Sequence, residues 1–468
     1  MQVIQASVST LLQWVGLTLG SRGPADEAQR RFVSVARGAS SALVARGLAA
    51  LTGLLIVPLA VGYLGAERYG AWVTISSTLG WLYLADAGLG NGLTTLFTDA
   101  WSRRRPELAR QHLATAIWLL ACMAAVVAVL FILIWPKIDW SVVLGVQSAL
   151  ARSEVPAAVA FAVAAFLAGF PLSVLDRVYA ACQDGAIGNF WSGAGAIASL
   201  AMAALAIQTR GGMVGLVVAL AGAPLVMKLA SAAWLFGRHH PELRPSPSAV
   251  RRDSLHRLSH TGSVFFLIQI AALILFNTDN VIIARILGAE QVTPYSVAWT
   301  LFTVPSMAIA LAFPYLWPAY AEAFARGDST WIRRTFRISL LASFGMAVLV
   351  AIPLIAFGRP LIGVWAGKTA VPPFSVLVWM GIWSLTYASM NPIACVLNAA
   401  GRLKGQAIFA SLSAVVNVGL SIRWAHRYGI SGVIAATVVS YLVFAALPIC
   451  LEARRVLARL ESPSFESV

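Results

Sequence analysis

Long apolar runs follow one another along almost the whole chain, from about residue 38 to residue 451. A run of about 18 or more apolar residues is long enough to cross a bilayer as an α-helix. The runs do not alternate apolar and polar residues at every second position, as the strands of an outer-membrane barrel do. The pattern therefore predicts an all-α membrane protein with about twelve transmembrane helices. The predicted spans cover about 38–63, 69–97, 111–135, 155–178, 187–207, 213–236, 262–287, 293–320, 336–357, 373–399, 406–424 and 430–451.

The tetrapeptide LGAE occurs twice, at Leu64–Glu67 and at Leu287–Glu290. Each copy closes one apolar run and precedes another, and an aromatic residue, Trp72 or Tyr295, follows at the same offset. Glycine readily adopts the left-handed conformation that ends a helix, and a glutamate is favoured where the next helix begins. The motif therefore predicts a tight hairpin on the outer side of the membrane in each half of the chain.

The repeat divides the chain into two halves of six spans each. Six crossings return a chain to its starting side, so the halves point the same way, as parallel repeats related by an axis along the membrane normal. The predicted organisation is two pseudo-symmetric six-helix lobes joined by a linker. The predicted regions are 1–32 (amphipathic or disordered N-terminal segment), 33–237 (N-lobe), 238–261 (cytoplasmic linker), 262–452 (C-lobe) and 453–468 (cytoplasmic tail).

Composition supports this class and adds an orientation. Only 11% of the residues are charged, against about 25% in a typical soluble domain, and the mean hydropathy is +0.78. The net charge of +15 comes mostly from predicted inner loops, with clusters such as Arg103–Arg105 and Arg333–Arg334. Because basic residues favour the cytoplasmic side, both termini are predicted there. The charges are spread over many short loops, so nucleic-acid binding is not expected.

The linker contains four histidines, His239, His240, His256 and His260, beside the Pro- and Ser-rich stretch RPSPSAVRRD. We interpret it as a solvated linker that contacts anionic lipid headgroups. We expect no metal site there. The four cysteines of the chain are not predicted on the outer face, so no disulfide is expected.

The stretch LGAERYGAW, followed by LADAGLGNGL in span 2, and NTDNVIIARILGAEQVTPYSVAW in spans 7 and 8 resemble the Wzx-type polysaccharide flippases. These belong to the MATE-like (MOP) flippase superfamily. The resemblance implies a transporter, not an enzyme, in the bacterial cytoplasmic membrane. Such a protein turns undecaprenyl-pyrophosphate-linked oligosaccharide repeat units from the inner to the outer leaflet for polysaccharide biosynthesis. The implied partners are this lipid-linked substrate, membrane lipids, a polysaccharide polymerase and glycosyltransferases. No cofactor is implied beyond a coupling ion, H⁺ or Na⁺.

Charged residues inside spans are the candidate site residues, because each costs about 2.5–3.5 kcal/mol at a helix centre and normally faces a cavity or a partner. Arg46 in span 1 and Asp86 in span 2 lie at similar depth, roughly 12 Å and 16 Å from the inner side. The two side chains either pair with each other or both face a water-filled lumen. The alternative for Arg46 is that its side chain extends to the inner lipid headgroups, and the alternative for Asp86 is a polar contact between helices. By the repeat offset Arg46 corresponds to Gln269 in span 7. A pyrophosphate needs fixed cations, for which we expect Arg46 first and Lys228 in span 6 second.

Span 7 carries a polar outer part that contains Asn277, Asp279 and Asn280. Asp279 could bind a coupling proton or cation, or a sugar hydroxyl; the alternative is a buried polar network that braces the helix. Span 11 is the least apolar span, because Asn417 and Arg423 interrupt it.

Two further functions fit a many-helix membrane protein. A cation-coupled multidrug antiporter of the same superfamily needs an acidic lumen, whereas here Arg46 accompanies Asp86 and Asp279. A membrane polysaccharide polymerase or ligase carries a large outer catalytic loop, whereas the longest outer loop here covers only roughly residues 136–154. The leading hypothesis is therefore alternating access by two lobes around a cationic cavity, driven by an ion gradient or by removal of the product.

Overall fold

The computed structural model describes residues 27–82, 86, 89–255, 258, 277–310 and 313–459. This part of the chain is helical and contains no β-strand, and seven of its helices are long and apolar enough to cross a membrane. The predicted class is confirmed: an all-α membrane protein of about twelve transmembrane helices in two pseudo-symmetric lobes. The helices are α1 (Glu27–Leu82), α2 (Leu89–Ser102), α3 (Pro106–Ile134), α4 (Trp140–Val143), α5 (Ala149–Gly169), α6 (Leu175–Ala181), α7 (Gly185–Gln208), α8 (Gly212–Val217), α9 (Ala223–Trp234), α10 (277–287), α11 (Ala289–Phe302), α12 (Val304–Ala310), α13 (Phe313–Ala325), α14 (Ser329–Trp365), α15 (Phe374–Ala399), α16 (Leu403–Tyr441) and α17 (Leu447–Arg459).

Sharp turns at glycine separate successive crossings. α1 turns at Gly65 (φ 75°) and α16 turns at Gly429 (φ 61°), so each of these helices contains two crossings. Gly288 (φ 94°) lies directly before α11. Glycine adopts positive φ without the steric cost that other residues pay. The predicted hairpins at both LGAE copies are therefore confirmed.

Within the predicted span 69–97 the structure describes α1 up to Leu82, then Asp86, and then α2 from Leu89. Asp86 lies at this junction, and its Oδ1 accepts a hydrogen bond from the Gly90 N–H at 3.0 Å. A side chain that bonds the backbone locally favours a helix end over a helix interior.

The buried apolar residues form one core shared by both lobes and two cores that belong to one lobe each. The shared cluster contains Ala60 of α1, Ile283 of α10 and Trp383 of α15. A second cluster, around Tyr179, lies toward the predicted inner side of the N-lobe. A third, around Tyr320, lies toward the inner side of the C-lobe. Within the described residues the lobes therefore share a core toward the predicted outer side, and each has a further cluster of its own toward the predicted inner side.

The first part of the linker packs against the N-lobe. Leu243 is fully buried, and Nε of Arg110 in α3 donates a hydrogen bond to the Arg244 carbonyl oxygen at 3.0 Å. The Arg251 N–H donates to Thr115 Oγ1 at 3.1 Å. The linker is thus anchored on α3 at these points, whereas most of residues 244–253 are exposed, as predicted for a solvated linker.

Several predictions fall outside the described residues. They concern most of the N-terminal segment, of which only residues from Glu27 onward are described, as well as Gln269, His256 and His260. The bounds of the lobes and of the linker also stay predictions.

Candidate transport site

The two LGAE hairpins contact each other across the boundary between the lobes. Oγ1 of Thr293 donates a hydrogen bond to the Ala66 carbonyl oxygen at 2.6 Å, and both residues are buried. A methyl group on Gly70 would lie 1.8 Å from the Ala289 carbonyl oxygen, so this approach requires glycine. We call the contact between residues 65–70 and 288–293 the outer seal. The repeat that reveals the duplication thus also joins the two lobes.

The loop before α5 extends the outer seal. The Ala289 N–H donates to the Gly145 carbonyl oxygen at 3.0 Å. Nη1 of Arg285 donates to the Val142 carbonyl oxygen at 2.8 Å. These bonds tie the loop of the N-lobe to the helices that carry the second LGAE copy.

Asn277 and Asn280 on α10 contact α1. Nδ2 of Asn280 donates to Ser77 Oγ at 2.9 Å. Asn277 lies so close to Gly80 that a methyl group on this glycine would be 2.6 Å from Asn277 Oδ1. Both residues were predicted to line a cavity, and the structure places them where they brace one lobe against the other.

Arg46 lies on the face of α1 that is opposite to an exposed aliphatic stripe. Val44 and Leu55 belong to that stripe and are 71% and 45% exposed. Because each helical residue advances the direction of its side chain by about 100°, Arg46 points about 200° away from Val44 and lies within about 40° of Gly53 and Ala60. In a membrane the aliphatic stripe faces lipid, so Arg46 points away from it.

The face of α1 that carries Arg46 is buried toward the outer side and open toward the inner side. Val57, Ala60 and Leu64 are at most 6% exposed, whereas Gly53 and Arg46 are exposed. The guanidinium makes no hydrogen bond or ion pair with any described residue. This face of α1 therefore changes from buried to exposed toward the predicted inner side.

Asp86 is buried at the junction of α1 and α2, and it contacts groups other than Arg46. Its Oδ1 accepts from the Gly90 N–H, as described above. Arg177 of α6 packs on the same glycine, since a methyl group there would lie 2.6 Å from Arg177 Nε. Nη1 of Arg177 also donates to Thr94 Oγ1 at 3.3 Å. Within the described residues no ion pair joins Asp86 to Arg46, and the cation that packs on Gly90 is Arg177.

Lys228 on α9 borders two neighbouring cavities inside the N-lobe. One has a volume of about 200 Å³ and an apolar lining that includes Phe166. The other has a volume of about 290 Å³ and includes Asp176 and Trp191. Lys228 and Pro224 line both cavities. A cation at this junction can bind an anionic group while an apolar chain occupies the adjoining compartment.

Asp279 is the centre of a buried polar network in the C-lobe. Its side chain is 4% exposed, and Oδ2 accepts hydrogen bonds from the Tyr295 hydroxyl at 2.6 Å and from Thr437 Oγ1 at 2.9 Å. Thr437 Oγ1 in turn accepts from Asn417 Nδ2 at 2.8 Å. The network joins α10, α11 and both crossings of α16.

Several oxygen atoms of this network lack a partner. Oδ1 of Asp279 and Oδ1 of Asn417 are buried and make no hydrogen bond within the described residues. The same holds for the hydroxyls of Ser413 and Ser421, which lie four residues before and after Asn417 on α16. Burying such groups without a partner is costly. Carboxylate and amide oxygens prefer hard cations, and a carboxylate can alternatively take up a proton. This arrangement can therefore hold a small cation or a proton.

An aromatic ladder extends from the network into the C-lobe. Tyr295 stacks on Trp299 with ring centroids 6.3 Å apart, and Trp299 stacks on Trp383 at 5.9 Å. Trp383 stacks on Tyr387 at 5.3 Å. The pairs Tyr295/Trp299 and Trp383/Tyr387 are four residues apart on their helices, which is a signal in the sequence for side chains that share a face.

The structure thus distributes the predicted site residues over three places. Arg46 and Lys228 belong to the open inner part and the cavities of the N-lobe, and Asp86 lies at a helix junction. Asp279 is buried in the C-lobe, whereas Asn277 and Asn280 lie between the lobes.

The comparisons with known sequences point to polysaccharide export. The sequence pattern of a family described as "Polysaccharide biosynthesis protein" matches residues 35–324. A protein of Yersinia pseudotuberculosis named "Putative O-antigen export protein" is 23% identical over 196 residues. That match covers 41% of this chain and 44% of the relative, so it spans less than half of the relative's length.

The comparisons with solved structures establish the fold. An inward-facing MATE-family multidrug resistance transporter of the MOP superfamily matches with a TM-score of 0.76 and 17% identity, over 91% of this chain and 99% of the other. An outward-facing structure of that description gives a TM-score of 0.64 at 16% identity, over 96% and 98%. A MOP superfamily transporter from Pyrococcus furiosus, described by a binding pocket of reverse polarity, gives 0.65 at 16% identity, also over 96% and 98%. The protein is thus a multi-pass membrane protein with the MATE-like transporter fold.

Proposed function

The chain belongs to the polysaccharide biosynthesis protein family, and from that premise we propose that it is a flippase for lipid-linked oligosaccharides. It turns undecaprenyl-pyrophosphate-linked repeat units from the inner to the outer leaflet of the bacterial cytoplasmic membrane. The chain is a transporter and catalyses no covalent step. Both termini lie in the cytoplasm, where glycosyltransferases supply the substrate, and a polysaccharide polymerase uses the flipped product on the other side.

The observation that carries the proposal is the position of Arg46. This side chain is exposed, turned away from the lipid-facing stripe of α1, and without a partner among the described residues. A cation held in this way inside the membrane is costly unless it meets an anion. A pyrophosphate entering from the cytoplasmic leaflet is such an anion, and arginine can bind it with two parallel hydrogen bonds.

Lys228 completes the proposed grip on the substrate. It borders two mainly apolar cavities, one of which also includes Asp176. The polyprenyl chain lies against these apolar surfaces, the phosphates meet the ammonium, and the sugars extend into the space between the lobes. In the aromatic ladder of the C-lobe, Tyr295 and Trp383 are buried, and the partly exposed Trp299 and Tyr387 offer flat apolar surfaces to sugar rings in that space.

The described conformation corresponds to the inward-facing state of an alternating-access cycle. The outer seal and the shared core close the outer side, whereas the inner cores are separate. The higher TM-score with the inward-facing transporter than with the outward-facing one supports this assignment. To release substrate outward, the lobes separate at the outer seal and meet at the inner side. Binding drives this switch only as far as it favours one state over the other.

The C-lobe network supplies the energy coupling in this proposal. Asp279 binds the coupling ion, H⁺ or Na⁺, and the unpartnered Oδ1 of Asn417, which is connected to Asp279 through Thr437, is a further ligand for Na⁺. Because α10 carries both Asp279 and the contacts with α1, occupancy of the network can change the packing between the lobes. The ion gradient then determines the direction of the cycle.

A cation-coupled multidrug antiporter is the second candidate. The buried carboxylate of Asp279 favours it, since such transporters need an acidic group for cations. The exposed Arg46 disfavours it, because a fixed positive charge in the open space repels cationic drugs. Drug resistance conferred by expression of this chain, with no effect on surface polysaccharide, would support the antiporter instead.

The test is a chromosomal deletion of the gene in its native bacterium. The flippase proposal predicts that surface polysaccharide disappears and that lipid-linked repeat units accumulate on the inner leaflet, where they resist a periplasmic glycosidase. Expression of the intact chain restores both phenotypes. Normal surface polysaccharide in the deletion strain, in the absence of a second flippase, would contradict the proposal.

A further inference from the structure

We propose that the cytoplasmic end of the N-lobe binds one divalent transition-metal ion of the zinc class through Asp184, His239 and His240. This inference goes beyond transport and does not depend on it. Oδ2 of Asp184 lies 2.9 Å from Nε2 of His239 and 3.1 Å from Nε2 of His240. The ligand atoms of the three residues all lie within 4.8 Å of one another.

The spacing of the three atoms suits metal coordination. Zinc binds histidine nitrogen and carboxylate oxygen at about 2.0–2.2 Å, so neighbouring ligand atoms of a tetrahedral site are separated by about 3.3 Å. The distances from the Asp184 oxygen to the two imidazoles differ from this value by a few tenths of an ångström, which small side-chain movements provide. Imidazole with carboxylate suits zinc, copper, nickel or iron. The fourth position is open to water.

The hydrogen bonds of His240 point to a cation. Its Nδ1 lies 2.8 Å from Glu242 Oε1, while its Nε2 faces Asp184 Oδ2. An ionised carboxylate only accepts hydrogen bonds, and a neutral imidazole has only one N–H. A neutral His240 can therefore satisfy one carboxylate, and the other contact needs an additional positive charge. If Nδ1–H donates to Glu242, Nε2 presents its lone pair beside Asp184, which is the arrangement that binds a metal.

Surrounding groups fix the imidazoles in place. His239 stacks on Trp234 with ring centroids 4.5 Å apart, and the edge of His240 meets Trp101 at 5.3 Å. The carboxylate of Glu242 orients His240 in the way that outer-shell carboxylates orient metal-binding histidines. None of the three proposed ligands is fully exposed. The site is thus preorganised by its neighbours.

The position of the site indicates what the ion does. Asp184 lies in the turn between α6 and α7, and the two histidines lie where α9 gives way to the linker. A bound ion would join the turn between two spans to the end of a third, at the point where the chain leaves for the C-lobe. It would hold the linker in the docked position described above.

The experiment uses the full chain without a polyhistidine tag, purified in detergent and stripped with a chelator. Titration with Zn²⁺ by calorimetry is expected to give one ion per chain with a dissociation constant in the micromolar range or below. Co²⁺ is expected to give a visible absorption spectrum that Zn²⁺ removes. His239→Ala, His240→Ala and Asp184→Asn are each expected to weaken Zn²⁺ binding at least about 100-fold, since each removes a ligand.

Two further variants sharpen the result. Glu242→Gln keeps the shape of the side chain and is expected to weaken binding about 10- to 100-fold, the usual effect of an outer-shell partner. His426→Ala, which changes an exposed histidine on α16 remote from the site, is expected to leave binding unchanged. The proposal is overturned if stoichiometric binding is absent, or if Zn²⁺ binds equally well to the three ligand variants.

Discussion

The two lobes share a hairpin and differ in charge. Each lobe carries an LGAE turn with a glycine at positive φ, and the two turns meet in the outer seal. The N-lobe exposes Arg46 and places Lys228 between two cavities, whereas the C-lobe buries Asp279. The comparison shows that the two lobes share the hairpin by which they contact each other, whereas their charged residues differ in sign. In our account the N-lobe holds the anionic substrate and the C-lobe holds the coupling ion.

The strongest test of the N-lobe role is Arg46→Ala. It removes the guanidinium that we place against the pyrophosphate, and losing one partner of such a charge pair costs about 3–5 kcal/mol, equivalent to at least about a 100-fold loss of export. Surface polysaccharide in the complemented deletion strain measures the effect, and quantitative immunoblotting of membranes shows that the protein is still present. Arg46→Lys keeps the positive charge but cannot bind the phosphate with two parallel hydrogen bonds. Its export level should therefore lie between those of the intact chain and Arg46→Ala.

The matched control for this variant is Arg427→Ala, which removes an exposed arginine that lies over the Tyr428 ring in α16. Export by this control should be normal. Export at the normal level by Arg46→Ala would remove Arg46 from the site.

The corresponding change in the C-lobe is Asp279→Asn. Asparagine keeps the acceptor for the Tyr295 and Thr437 hydroxyls but removes the negative charge, so the fold should persist while ion binding is lost. We expect export to fall about 100-fold, near the cost of removing a charged partner in a buried site. Ion-gradient-driven transport in proteoliposomes measures this, with Asp253→Asn, an exposed aspartate of the linker, as the control. Unchanged dependence on the gradient would show that the coupling ion binds elsewhere.

The outer seal is common to both lobes, and Gly70→Ala breaks it. The added methyl group would lie 1.8 Å from the Ala289 carbonyl oxygen, so the lobes must separate there. We expect the inward-facing state to lose at least about 1.4 kcal/mol, a tenfold change in its ratio to the outward-facing state. Distances between spin labels on the outer ends of the two lobes report this shift. Gly62→Ala, where nothing lies within 4 Å, should leave the distances unchanged, and equal distances in both variants would contradict the seal.

The smallest expected effect comes from Thr293→Val. Valine has nearly the same shape but cannot donate to the Ala66 carbonyl oxygen. The loss of one buried hydrogen bond is worth about 1 kcal/mol, which corresponds to about a fivefold shift toward the outward-facing state. The same spin-label distances measure it. A shift as large as that of Gly70→Ala would mean that the hydrogen bond, not the close backbone approach, dominates the outer seal.

Local sequence signals predicted the class, the spans and the turns, because hydrophobic length and glycine chemistry act over short distances. The LGAE glycines, for example, end helices through their own backbone freedom. The contact between the two hairpins could not be predicted, since it depends on how residues far apart in sequence are brought together. Nothing in the sequence around Gly70 indicates that glycine is required there, because the requirement arises only from its contact with Ala289 in the folded chain.

The candidate site shows the same limit. Asp279 attracts attention in the sequence because a charge in an apolar span is costly, and Asn417 does so by interrupting span 11. Their connection through Thr437 appears only in the folded chain. Asp184 similarly gave no signal, and the two adjacent histidines were interpreted as part of a solvated linker. The sequence indicates that Asp86 and Arg46 lie at similar depth, but the packing of Arg177 on Gly90, next to Asp86, appears only in the folded chain because Arg177 belongs to another helix.

The most direct test of the division of roles is a binding measurement on the purified full chain in lipid nanodiscs, with undecaprenyl pyrophosphate as the probe. Our account predicts that the intact chain binds the probe, that Arg46→Ala binds it at least about 100-fold more weakly, and that Asp279→Asn binds it as the intact chain does. Equal binding by the intact chain and Arg46→Ala, or a loss confined to Asp279→Asn, would contradict the account.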